Sequence, residues 1–211
     1  MKKYSKAALA ISMSLLLAGC VQSKTSTFPP AQSAIYVSGE GVLYTSLVRN
    51  YDPSDTGYDA EELLAMARSE AEEYNAGQGA GSGQAPVAVT ECRVQEGTAS
   101  VVYQYAGADH LVRFTELTQD DDNHPESLAV STNTAYLAGG EFPSPWTDAR
   151  KNAAADQSTV LKKKDLPLVV VTGPVTVQTE GQILYYSGSV SLKDEFTAQV
   201  AEGTAYIVFR R

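Results

Sequence analysis

The chain has 211 residues, 16 of them basic and 25 acidic, and its formal net charge at pH 7 is −9. This balance argues against nucleic acid as a partner, because phosphate binding requires clustered lysine and arginine side chains. The length is enough for one typical domain with a real hydrophobic core, plus a short extra segment.

The first twenty residues have the parts of a secretory signal. Three lysines lie among the first six residues, residues 7–17 are apolar apart from two serines, and small residues follow. The apolar run is too short to span a bilayer, which needs about 20 residues. The ending Leu17-Ala18-Gly19-Cys20 resembles the bacterial lipobox, which implies a diacylglyceryl group on the Cys20 thiol and cleavage before that residue. The alternative is an ordinary signal peptide followed by a chance cysteine.

This resemblance predicts a lipoprotein anchored in the cell membrane, with its domain on the extracytoplasmic face. Two acyl chains hold a protein stably, whereas one binds only reversibly. Loss of residues 1–19 removes three lysines and no acid, leaving 13 basic and 25 acidic residues and a net charge of −12. Such a charge disfavours a second, electrostatic attachment to anionic lipid.

Cys92 is the other cysteine. With Cys20 acylated it has no intramolecular disulfide partner, so the domain must be held together by packing. Cys92 lies in an apolar stretch and is interpreted as a small buried hydrophobe, with a reactive thiol as the alternative.

Residues 20–34 are polar, include a Pro-Pro pair, and are predicted to be a flexible tether. As a coil the tether would average about 20 Å end to end. Fully extended it would reach about 50 Å. The domain is predicted over residues 35–211 and opens with a hairpin of residues 35–37 and 42–44 around a glycine-containing turn.

A helix is predicted over residues 60–75. Asp59 is a good N-cap, Glu62 has capping-box spacing, and Tyr58 and Leu63 occupy the hydrophobic-staple positions. Apolar residues then recur at helical spacing. Gly77 is the predicted C-cap, and the glycine-rich residues 77–83 form a flexible connector.

Three β runs follow, over residues 87–94, 99–105 and 110–117, and their short turns predict an antiparallel meander. Residues 118–158 are predicted to be irregular, with one strand near residues 128–136. Four more strands are predicted in the last third of the chain, over residues 168–171, 175–179, 183–186 and 205–209. The fold class is therefore α+β, with one main helix packed on a mostly antiparallel sheet and with long irregular loops.

Three stretches resemble a group of lipoproteins from Gram-positive gut bacteria of clostridial type. They are the helix ending Glu73-Tyr74-Asn75, the strand pair around residues 94–101, and the ending Gly203-Thr204-Ala205-Tyr206-Ile207-Val208-Phe209. The resemblance implies location and architecture and transfers no active site.

Motifs for catalysis or cofactor binding are weak. The glycine-rich segment follows a helix and leads to a strand, the reverse of a phosphate-binding loop. Asp120-Asp121-Asp122-Asn123-His124 lacks the spacing of a calcium loop and is interpreted as a solvated acidic loop, with weak Ca²⁺ binding as the alternative. The histidines, His110 and His124, form no close pair, and no nucleophile elbow is present. No metal, cofactor or catalytic residue is predicted.

Trp146 is the candidate ligand-binding residue. It lies in a proline-flanked loop, where an exposed ring could stack on a ligand. The alternative is that the ring fills a small satellite cluster under the loop. Tyr103 and Tyr105 are two residues apart and are expected to pack on one face of a strand.

These observations favour a non-enzymatic module that binds a protein, peptide or glycan at the cell envelope. Two alternatives remain open. One is a cell-envelope hydrolase that uses carboxylates, since two acids at the right separation are all such chemistry needs. The other is a structural envelope protein.

Overall fold

The structure is a computed structural model that describes residues 24–52, 54, 59–78, 84–134 and 145–211. The predicted signal peptide, Cys20 and Tyr58 lie outside these residues. So do residues 79–83 of the glycine-rich connector and residues 135–144 before Trp146.

The described residues are mostly β-sheet, arranged as two open sheets. The first sheet has seven strands in the order β11-β12-β9-β1-β2-β4-β3. Their bounds are β1 Ala34–Val37, β2 Leu43–Asn50, β3 Val87–Gln95, β4 Thr98–Tyr105, β9 Thr176–Thr179, β11 Val190–Leu192 and β12 Thr197–Val200. The pairs within it are antiparallel except β1 with β9, which run parallel.

The second sheet has six strands in the order β5-β8-β13-β10-β6-β7, all paired antiparallel. Their bounds are β5 Ser127–Ser131, β6 Trp146–Asp148, β7 Ala153–Ala155, β8 Leu168–Thr172, β10 Ile183–Ser187 and β13 Thr204–Phe209. Strands β6 and β7 and a short helix α3, Gln157–Leu161, fall where the sequence predicted irregular structure, and β11 and β12 were not predicted.

The predicted main helix is present as α1, Ala60–Gly77. Asp59 caps it as expected, because its carboxylate accepts hydrogen bonds from the Glu61 and Glu62 amides at 2.8 and 2.9 Å. Ala67, Ala71 and Tyr74 form its buried stripe against β3 and β4. The helix ends at Gly77, two residues later than predicted, and its C-cap is Gln78 and not Gly77.

The predicted strand over residues 110–117 is wrong, since these residues belong to a second helix, α2, Ala108–Leu117. Leu111, Phe114 and Thr115 are buried while Arg113 and Glu116 are exposed, which is the periodicity of a helix face. The β-branched and aromatic side chains that suggested a strand instead fill the space over β4. Phe114 lies there with ring centroids 4.9 Å from Tyr103 and 6.0 Å from Tyr105.

The main core lies between the inner faces of the two sheets and extends under both longer helices. In the first sheet, alternate residues such as Ile35, Val37 and Val177 point into this core, so their neighbours point to the opposite, outer face. Tyr103 and Tyr105 share the inner face and are buried, which confirms the prediction from their spacing.

The outer face of the first sheet is crossed by residues 24–33, here called the strap. Thr25 forms an antiparallel bridge with Gly181, and the Ser26 amide donates to the Glu180 carbonyl at 2.8 Å. Further along, the Ser33 hydroxyl accepts from the Val48 amide at 3.0 Å. These residues were predicted to be a free tether, but their backbone and side-chain groups bond to the sheet.

No helix within the described ranges is long and apolar enough to cross a membrane.

Candidate functional site

A groove of about 490 Å³ lies where the strap crosses the outer face of β2, β4 and β3. Residues 27–31 of the strap form one side, and Val48, Thr98 and Ser100 lie on the sheet beneath. Side chains alternate between the two faces of a strand. These three residues point to the outer face, because their strand neighbours Leu47, Ala99 and Val101 lie on the core-facing side. We call this site the strap groove.

Phe28 supplies an aromatic surface at the edge of the strap groove. Its ring centroid lies 4.8 Å from that of Tyr36 and 5.0 Å from that of Tyr44 in tilted and edge-on geometry, and the two tyrosines are 6.0 Å apart. Tyr36 is buried beneath the cluster, and burial raises the pKa of its phenol. Phe28 keeps 43% of its surface exposed. A ring that is held by neighbours and still exposed can stack on a ligand with little loss of side-chain entropy.

The other side of the strap groove is polar and carries both charges. Glu91 and Arg93 sit on β3, and the Arg93 Nε lies 2.6 Å from the Glu91 Oε1. They are two residues apart on one strand face, next to Gln95. A β-bulge between Val89 and Glu91 shifts the register of β3, and this shift puts Glu91 and Arg93 on the outer face. The groove therefore combines an apolar side with hydrogen-bonding groups, as ligand sites commonly do.

The sequence did not single out this site. Phe28 and the two prolines after it were read as part of a flexible tether, and the residues opposite them come from strands about twenty to seventy positions later in the chain. An available signal was the apolar Phe-Pro-Pro stretch within an otherwise polar segment.

Trp146 does not form the exposed platform that the sequence suggested. It is 2% exposed, and its ring packs in a second core cluster with Val160, Leu168 and Leu184. Its centroid lies 6.3 Å from that of Tyr206. The alternative interpretation, a ring that fills a satellite cluster, matches this placement. The expectation of exposure failed because β6 pairs with β10 and carries the ring into the protein.

The acidic segment after α2 is not fully solvated, contrary to the prediction. Asp120 and Asn123 are buried, and the Asn123 side-chain amide donates to the Asp120 Oδ2 at 2.8 Å and to the Ser46 carbonyl at 3.2 Å. Burial raises the pKa of the Asp120 carboxyl, while the hydrogen bond from Asn123 acts in the opposite direction. Asp122 pairs with Arg49, so this segment ties α2 to the end of β2.

The two histidines lie apart, each beside a hydroxyl. The Nδ1 of His110 is 3.0 Å from the Tyr74 hydroxyl, and the Nδ1 of His124 is 3.1 Å from the Thr115 hydroxyl. These contacts join α1 to α2 and α2 to the segment that follows it. Across the described part of the chain, no group of three or more His, Cys, Asp or Glu residues is placed to hold a metal ion.

Cys92 is half-buried against the main core, and burial raises the pKa of its thiol. A raised pKa lowers the thiolate fraction at neutral pH, and the thiolate is the reactive form. The packing interpretation therefore fits Cys92 better than that of a reactive thiol.

Comparison of the chain with protein-family models, with curated proteins and with solved structures finds no match.

Proposed function

We propose that this chain is a membrane-anchored extracytoplasmic lipoprotein whose domain is a non-enzymatic binding module. The lipid is attached at Cys20, and the strap groove takes a protein, peptide or glycan ligand of the cell envelope. The proposal for the anchor is supported by the lipobox-like ending at Cys20 and by the basic and apolar segments before it.

The observation that carries the binding proposal is the partly exposed ring of Phe28 beside the polar side of the strap groove. Aromatic side chains dominate binding sites, because they bury a large area and lose little rotamer freedom. The Glu91 and Arg93 pair and the hydroxyls of Thr98 and Ser100 supply donors and acceptors within the same groove. Such a surface suits a ligand that has both apolar faces and hydroxyl or amide groups.

The test is a melting-temperature screen of the mature chain against cell-wall fragments, glycans, peptides and Ca²⁺. A ligand present at one hundred times its dissociation constant adds about 2.7 kcal/mol of stability. In a domain of this size the midpoint rises by several degrees. A flat screen with a cooperative melt would contradict a small-ligand site and direct the search to a protein partner.

We expect Phe28→Ala to abolish most of the midpoint shift produced by a ligand found in this way. Met66→Ala is the matched control, because Met66 is also a large exposed apolar residue, 54% exposed, but lies on α1. The control should keep the full shift. An unchanged shift in Phe28→Ala would place the ligand outside the strap groove.

A further inference from the structure

We propose that the strap orients the domain, so that one end of the first sheet faces the lipid headgroups and the strap groove is held away from them. The membrane-facing end, here called the basal end, comprises Lys24, the turn at residues 180–182 and the turn at residues 38–42. This inference rests on the proposed lipid anchor at Cys20.

The docking of the strap fixes where the chain leaves the domain. Three successive strap residues are bonded to the end of β9, through the Thr25 bridge to Gly181, the Ser26 amide to the Glu180 carbonyl, and the Thr27 carbonyl, which accepts from the Gln178 side chain at 2.8 Å. These bonds place Thr25, the first of the three in chain order, at the basal end. If the flexible tether extended as far as residue 34, the domain could rotate freely relative to the membrane.

The remaining length of chain is short. Five peptide steps separate Cys20 from Thr25, and five residues reach at most about 18 Å. The acylated Cys20 sits at the bilayer interface, so Thr25 lies within that distance of the headgroups.

An inverted domain does not fit within this reach. Strand β2 runs from Leu43 at the basal end to Asn50 at the opposite, distal end, and its seven steps span about 23 Å. If the distal end touched the bilayer, Thr25 would stand farther from the surface than the chain between Cys20 and Thr25 allows. The basal end must therefore be the nearer one.

The position of the strap groove follows from the same geometry. The groove runs along the strands: the Phe28 ring lies against Tyr44 nearer the basal end, whereas Val48 lies five residues beyond Leu43, about 17 Å along the strand toward the distal end. The Glu96 and Gly97 turn, beside the groove, is at the distal end as well. Ligands would therefore reach the groove from the envelope space and not from within the bilayer.

The partner of the basal end is the headgroup layer. Lys24 has a side chain 79% exposed and pairs with Glu195 at 3.7 Å. Arg211 lies beside Gly39 in the turn at residues 38–42 and donates to the Thr132 carbonyl at 2.9 Å. Glu40, Glu180 and Glu195 lie at the same end, so acidic groups offset the basic ones there. This balance suits zwitterionic headgroups, whereas the net charge of the whole mature chain would be repelled by an anionic surface.

The test uses the lipidated protein in phosphatidylcholine vesicles that contain a lipid-linked energy acceptor. In a Cys92→Ser background, a donor dye is placed on Glu40→Cys at the basal end or on Gln95→Cys at the distal end. Both positions are exposed. We expect energy transfer to the membrane to be several-fold more efficient from position 40 than from position 95. Equal transfer from both positions, or stronger transfer from position 95, would overturn the orientation.

A spacer variant provides the matched control. A flexible Gly/Ser insertion about twenty residues long between Ser23 and Lys24 should lower transfer from position 40 and bring the two values together, because the domain can then turn freely. Energy transfer from position 40 that is unchanged by the insertion would show that the strap does not set the orientation.

The anchor itself is tested separately with Cys20→Ser. Loss of palmitate incorporation and of vesicle association supports the anchor. Vesicle association that survives Cys20→Ser would overturn the anchor and the orientation together, whereas equal transfer in a lipidated protein overturns the orientation alone. Neither result depends on the ligand screen.

Discussion

The Trp146 side chain is surrounded by residues from distant parts of the chain. Trp146 follows a proline and precedes polar residues, so its neighbours in sequence suggest an exposed loop. Its neighbours in space are Leu168, Leu184 and Val208, which make it one of the most buried large side chains. An aromatic ring in such a position stabilises the fold through its buried area.

We expect Trp146→Ala to lower the free energy of unfolding by about 3–5 kcal/mol, because it removes a large buried ring and leaves a cavity. Urea denaturation followed by far-UV circular dichroism measures the loss without relying on tryptophan fluorescence. Trp146→Phe should lower the free energy of unfolding clearly less, since it keeps an apolar ring in the cluster. A Trp146→Ala protein as stable as the original would contradict the buried position.

Asp120 gives the protein a pH dependence of predictable sign. Burial raises the pKa of this carboxyl above its ordinary value of 3.8, so the folded protein holds the proton to higher pH than the unfolded chain does. The contribution of Asp120 to stability is therefore fully present below 3.8 and is lost as the pH rises through the folded pKa.

Asp120→Asn should flatten this part of the pH profile, and the variant should gain stability relative to the original protein as the pH rises from acid toward neutrality. Urea midpoints measured over this range test the sign. The neighbour variant Asp121→Asn is the control, because it removes the same charge from an exposed side chain of this segment. If the pH profile of Asp120→Asn ran parallel to that of the original protein, the Asp120 carboxyl would not be the source of the pH dependence.

At the scale of elements, α1 depends on local signals and α2 on tertiary ones. The Asp59 cap and the stripe of Ala67, Ala71 and Tyr74 mark α1 within its own sequence. Gly107, before α2, has no side chain with which to cap the helix, and Val112, Phe114 and Thr115 within α2 are strand formers. Packing of Phe114 against Tyr74, Tyr103 and Tyr105 therefore outweighs local preference.

We expect Asp59→Ala to lower the free energy of unfolding by about 1 kcal/mol, because the Glu61 and Glu62 amides lose their acceptor. Denaturant unfolding followed by circular dichroism gives the value. Asp59→Asn keeps an acceptor oxygen and should be nearly neutral. Equal losses in the two variants would indicate that the charge of Asp59, and not its hydrogen bonds, stabilises α1.

At the scale of the whole molecule, the turn at residues 180–182 links the strap, the first sheet and the last strand of the second. Gly181 bridges Thr25, and the Arg210 amide donates to the Gln182 carbonyl at 3.0 Å. A Cβ on Gly181 would lie 1.9 Å from the Arg210 carbonyl oxygen, far inside contact distance. Only glycine lets these backbone segments approach so closely.

We expect Gly181→Ala to destabilise the protein by about 1–3 kcal/mol, since backbone must shift to admit the methyl group. Gly77→Ala is the matched control, because a Cβ there meets nothing within 4 Å. In a helix this change should be neutral or stabilising by up to about 1 kcal/mol. Thermal unfolding of both variants tests the contrast, and equal effects would contradict the close approach at Gly181.

The sequence by itself determined the features that are coded over a few neighbouring residues. The cap and stripe of α1 and most strands of both sheets were predicted because their signals are local. The β3–β4 hairpin is another such case, since Glu96 and Gly97 both take positive φ in its turn. The anchor at Cys20 is also a local motif, and it stays a prediction.

Only the tertiary structure decided the parallel pairing of β1 with β9, the helical state of α2 and the docked strap. Each depends on contacts between distant residues, such as the Gln178 side chain with the Thr27 carbonyl, 151 positions apart. A short apolar run is compatible with a strand or a helix until a partner surface selects one. The strap groove exists only because such contacts bring Phe28 beside β3 and β4, and no window of neighbouring residues contains that information.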